Sequence, residues 1–126
     1  MNSAMNSPSS GLIISDDVIA SIAMSAVKDV AGVGKLVQRP ANLKGMVGMN
    51  EGAQKFIEVS KSDNVYSLKL HITVTEDSKI PTVAADVQKA VKNAVQEMTS
   101  KVVSKVNVVI AGVEITNNAP NQKNND

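Results

Sequence analysis

The chain has no cysteine and no tryptophan, and its 126 residues include one phenylalanine, one tyrosine and one histidine. Without cysteine there are no disulfides, no thiolate nucleophile and no sulfur-ligated metal site. His71 has no second imidazole for a metal pair and would have to act alone in any proton transfer. Long apolar runs are missing too. The longest uncharged candidate for a membrane span, Val18 to Val27, contains Ser21 and Ser25 and falls well short of the roughly 20 residues that cross a bilayer. The first basic residue is Lys28, so the N-terminus lacks the positive region and apolar stretch of a secretory signal, and no segment is expected to export or anchor the chain. Neither charge dominates: 13 Lys and Arg face 12 Asp and Glu, with the signs interspersed, so no electrostatic footprint for nucleic acid or acidic lipid emerges.

What remains is aliphatic. With 43% hydrophobic content, mostly Val, Ile, Ala and Met, the chain suffices for one core filled without aromatic packing. Residues 1–10 and the Asn-rich residues 117–126 bury too little surface to offset ordering and are expected to be disordered tails, leaving a single domain over 11–116. Ser15 followed by Asp16 and Asp17 is a helix start: a hydroxyl cap, then carboxylates where the helix dipole favours them. Val18, Ile19, Ile22, Ala23, Ala26, Val27 and Val30 form its apolar stripe, and Gly32 is expected to end it. Val33 to Gln38 reads as a short strand closed by Pro40. Residues 41–54, with Gly45, Gly48 and Gly52 and no sustained period, read as a loop holding at most one helical turn. Phe56 to Ser60 is a strand, and Ser62, Asp63 and Asn64 supply a hairpin turn.

The clearest alternation in the chain comes next. Tyr66, Leu68, Leu70, Ile72 and Val74 point one way, while Ser67, Lys69, His71, Thr73 and Thr75 point the other. Glu76 to Lys79 turn the chain and Pro81 suits a first helical turn. Val83, Val87, Val91, Val95 and Met98, backed by Ala84 and Ala94, form a second helical stripe. Val102, Val106, Val108 and Ile110 make the inward side of a last strand, with Val103, Lys105, Asn107, Val109 and Ala111 on its other face. The element order, α-β-loop-β-β-α-β, describes an α+β two-layer sandwich: a small, mostly antiparallel sheet of three to four strands with two helices on one face.

Two motifs invite chemistry weakly. The carboxylate pairs Asp16-Asp17 and Glu76-Asp77 are adjacent residues that diverge, and each suits a helix start. Lys44-Gly45-Met46-Val47-Gly48 matches the GxxG pattern of KH-type RNA-binding domains, but a KH clamp joins two helices and sits in a basic patch. Lys44, Gly45 and Gly48 therefore define the alternative function: a KH-like RNA or small-ligand binding loop running from Lys44 to Gly52.

Identities at fixed spacings carry more. The stretches GLIISDDVIASIAMSAVKDVAGVGKL and IPTVAADVQKAVKNAVQEMTSKVVSKVNVVIAGV resemble the alkaline-shock or envelope stress response proteins of Gram-positive bacteria. The second repeats that family's Ile-Pro, Val-Ala, Val-Gln, Met-Thr and Val-Asn-Val pattern. Departures fall at turns: Ser100 stands where members often carry Gly, Glu76 and Asp77 lie where members often carry a Tyr-Gly-like pair nearby, and Ala31 stands where Pro is frequent. The resemblance implies a non-enzymatic cytoplasmic stress-response protein without cofactor or metal, and it transfers no catalytic residue. It also implies protein partners: a small membrane-anchored protein that holds the chain at the inner face of the cell membrane, and other copies of the family in a homo-oligomer. Nucleic acid is not an expected partner. The outward sheet face of Lys69, His71, Thr73, Lys105 and Asn107 is the expected contact surface.

Overall fold

The computed structural model describes residues 11–40 and 52–115. The two expected tails, at 1–10 and 117–126, lie outside the described residues, as do Lys44, Gly45 and Gly48. In chain order the elements are helix α1 (Asp16–Lys28), strand β1 (Val33–Val37), a 3-10 turn (Gly52–Lys55), strands β2 (Ile57–Ser62) and β3 (Val65–Thr75), helix α2 (Ile80–Thr99) and strand β4 (Val102–Glu114).

The sheet is organised around β3. β1 and β2 run antiparallel to it along one edge, β1 against the 71–74 end and β2 against the 65–70 end. β4 runs parallel to it along the other edge, after a crossover through α2. Two of the three pairings are antiparallel, and both helices pack on one face, as the α+β sandwich requires. The β2–β3 hairpin closes through Asp63 and Asn64, both in left-handed backbone (φ 53° and 65°), which is the geometry of a tight two-residue turn. Ser62 itself remains in the strand.

The core lies between the helices and the inner row of β3. Tyr66, Leu68, Leu70, Ile72 and Val74 are buried against Ile19, Ala23 and Val27 of α1 and Val83, Val87, Val91 and Val95 of α2. Ser15 caps α1 through its Oγ, which accepts the Val18 N–H at 3.2 Å. Asp17 does more than complement the dipole: its Oδ1 accepts the Ala53 N–H at 3.1 Å and ties α1 to the 3-10 turn.

Three further sequence expectations are corrected. Helix α1 ends at Lys28, not at Gly32; Asp29, Val30 and Val33 donate to Ala26, Val27 and Val30, a tightening of the last turns before Gly32 redirects the chain. Met98 is 72% exposed and Thr99 takes its place in the stripe, because steps of four residues from Val83 through Val95 arrive at 99. The Thr99 hydroxyl is satisfied there, donating to the Val95 carbonyl at 2.6 Å and accepting the Lys101 N–H at 3.1 Å. Finally, Val103 faces the core while Val102 is 56% exposed. The cause is a bulge: Tyr66 pairs with Val103 but Ser67 pairs with Lys105, so Ser104 is an extra residue and inside and outside exchange.

Ser100, the C-cap of α2, has φ 62°. The family's frequent glycine at this place is what left-handed backbone favours. Ser100→Gly is therefore expected to raise unfolding free energy by about 0.5–1 kcal/mol, read as a higher urea midpoint at unchanged slope.

Candidate functional site

No helix or strand among the described residues covers the outer face of the sheet. Its central row is Ser67, Lys69, His71 and Thr73 of β3. Register places Lys105 beside Ser67, Asn107 beside Lys69 and Val109 beside His71 on the β4 side. On the other side Ser60, Glu58 and Val37 stand beside the same three positions. The sheet thus brings Lys69, His71, Lys105 and Asn107 together on one surface, as their alternation predicted.

Their environments differ. Lys69 and Lys105 are exposed. His71, placed on the outward face by its alternation, is half-buried between Val37 and Val109, and its buried Nδ1 has no hydrogen-bond partner among the described residues. Thr73 is 8% exposed and engaged inside the sheet: its Oγ1 accepts the Lys35 N–H at 3.0 Å and donates to Glu114 Oε2 at 2.8 Å. It ties β1 to the end of β4 across β3, so the surface left for contact consists of the other four residues. Gly34 makes this tie possible. A Cβ there would run into Thr73 Oγ1 and stand 2.6 Å from Glu114 Cδ.

The rim near β2 is polar. Arg39 donates from Nη1 to the Gln54 carbonyl at 3.0 Å and lies 3.8 Å from Glu58, a half-exposed ion pair of small energetic weight. At the β4 rim an open cleft of about 370 Å³ is lined by Gln88, Lys92, Ser104, Lys105, Val106 and Asn107. Two glutamines of α2 reach the strand here. Gln96 Oε1 accepts the Val103 N–H at 3.0 Å, and Gln88 Nε2 donates to the Val106 carbonyl at 3.1 Å. Sequence reasoning missed both; the available signal was two amides eight residues apart, flanking the valine stripe.

The arrangement offers hydrogen bonds, two cationic side chains and β-branched contact area. Among the described residues no group of three or more His, Asp or Glu side chains could hold a metal ion, and no helix is long and apolar enough to cross a membrane.

Comparison with known proteins agrees with the resemblance drawn from the two long stretches. The model of the alkaline-shock protein family, described as having a cell envelope-related function, matches residues 5–115. Relatives in Bacillus subtilis (strain 168) include the uncharacterized protein YqhY, 30% identical over 104 residues that span 82% of this chain and 74% of YqhY. Another is the uncharacterized protein YloU, 28% identical over 106 residues spanning 82% of this chain and 88% of YloU. Among solved structures, a variant of the MamM CTD aligns at 15% identity with a TM-score of 0.49, over 79% of this chain and 96% of that one. From residue 5 to residue 115, then, this chain is a member of the alkaline-shock protein family, whose function is cell envelope-related.

Proposed function

We propose that the protein is a non-enzymatic interaction module of the envelope or alkaline stress response. In this role it self-associates and is held at the inner face of the cell membrane by a membrane-anchored partner protein. The observation that carries this is the outer sheet face, which no described helix or strand covers and where Lys69, His71, Lys105 and Asn107 gather on one surface within a family of cell envelope-related function. The sequence supports a role without catalysis, since one histidine and no cysteine give neither a metal pair nor a thiolate. The near-balance of charge, with a formal net charge of +1, favours association between copies over mutual repulsion.

Sedimentation velocity over a hundredfold range of concentration tests the self-association. The expected result is a weight-average mass that rises with concentration. A single monomer boundary throughout would overturn that half of the proposal.

A further inference from the structure

Strand β4 is an edge: it pairs with β3 and with no other strand among the described residues. An edge of thirteen residues is a template for another strand unless something closes it. The first half of β4 is closed. The bulge at Ser104 breaks its line, Gln96 takes the Val103 N–H, and Gln88 takes the Val106 carbonyl.

The last of these bonds also fixes the orientation of the second half of the strand. A strand carbonyl that receives a side-chain N–H has turned away from the neighbouring strand. Backbone groups alternate sides residue by residue, so Val108 and Ile110 face the free edge as Val106 does, while Asn107 and Val109 face β3. No described residue bonds the outward N–H and C=O of Val108 and Ile110. A second bulge, at Ala111 between the pairs Ile72–Ile110 and Thr73–Gly112, ends the window. The open stretch is Val108 to Ile110.

We infer that this window receives the same window of a second copy of the chain, antiparallel, across a two-fold axis at Val109, an assignment that rests on the self-association proposed above. Such an axis sets Val108 opposite Ile110 of the second copy, and Ile110 opposite its Val108. In an antiparallel ladder these are the pairs that exchange both N–H···O bonds, so every backbone group left open in the window finds a partner. The faces stay matched: Val108 and Ile110, packed against the core, meet their counterparts on the inner side, and Val109 meets Val109 on the outer side.

Charge permits the match as well. From Val106 to Val113 the strand carries no ionisable side chain, so two identical strands meet without like-charge contact. Val113, 49% exposed beside the window, is shielded by the added strand. The outer faces of the two copies become one continuous surface, doubling the array of Lys69, His71, Lys105 and Asn107.

Because the chain has no cysteine, one introduced thiol tests the axis cleanly. Non-hydrogen-bonded antiparallel pairs stand about 4.5 Å apart at Cα, within the range of about 4.4–6.8 Å that a disulfide accepts. Val109→Cys, in the full chain at concentrations where the parent associates, is expected to convert mostly to a disulfide-linked dimer in oxidised glutathione. Asn107→Cys, on the same face but displaced from the axis, is expected to give at least tenfold less. Ile110→Pro removes one outward N–H without removing a bond to β3 and is expected to weaken association at least tenfold, with circular dichroism confirming that the sheet is retained. If the parent associates but Val109→Cys crosslinks no better than Asn107→Cys, the β4 pairing is wrong while self-association stands. A parent that stays monomeric overturns both.

Discussion

Gly32→Ala is expected to lower the unfolding free energy by about 2–5 kcal/mol, a large share of the total for a domain of this size. Gly32 sits at φ +93°, where an L side chain is strained, and a Cβ there would lie 2.6 Å from Val83 Cγ2 and 2.8 Å from Ser78 Oγ. The backbone contributes about 1–2 kcal/mol of this loss and forced overpacking about 1–3 kcal/mol. Relief by movement is limited, because Val83 belongs to the buried valine stripe and the Gly32 carbonyl accepts the Thr75 N–H at 2.9 Å. Gly112→Ala is the matched control. Its Cβ would meet only Thr73 Cγ2, at 3.6 Å, and the change is expected to stay within about 0.5 kcal/mol. Urea denaturation of the two variants checks the pair, and equal losses would show that the α1–β1 turn is not the tight crossing described.

Leu70→Ala is expected to cost about 3–5 kcal/mol. Leu70 is wholly buried at the middle of the central strand, beside Ile57 on one side and Val108 on the other. A cavity at that point has strands on both flanks and helices above, so little can collapse into it. The neighbouring change, Lys69→Ala, is expected to move stability by no more than about 0.5 kcal/mol, since Lys69 stands on the exposed outer face. Urea midpoints measured at unchanged slope separate the two. Similar midpoints for both variants would mean that the faces of β3 are assigned wrongly.

Periodicity accounts for most of what could be read without a structure. Five apolar residues at spacing two placed the inner face of β3, and four valines at spacing four placed α2, because these spacings follow directly from strand and helix geometry. Ser15 and the Asp63-Asn64 turn were readable for a local reason: short polar side chains bond nearby backbone or tolerate left-handed φ. Where local rules gave out, long-range pairing decided. Val102 and Val103 exchange sides because of a bulge at Ser104 that has no signature in composition. Met98 yields to Thr99 because a hydroxyl bonded to the Val95 carbonyl is admissible in the stripe.

The contact surface was readable to the same depth. Alternation put Lys69 and His71 outward, and it put Lys105 and Asn107 opposite the core. It could not say that His71 would be half-buried, since that depends on Val37 and Val109 arriving from strands whose order no local pattern fixes. Nor could it say that Thr73 would be taken up by Lys35 and Glu114. The polar identities within the family resemblance gain physical roles here. Gln88 bonds the edge of β4, and Thr99 closes the end of α2.

The most direct test of the central claim, that the outer sheet face is where this protein meets its envelope partner, is membrane fractionation with a charge-reversed face. Lys69→Glu and Lys105→Glu are combined in the full chain, expressed in its native cells in place of the parent, with thermal unfolding measured alongside. The parent is expected to sediment largely with membranes and the double variant to move at least tenfold toward the soluble fraction while unfolding within a few degrees of the parent. A folded double variant that stays with the membranes as the parent does would contradict the claim.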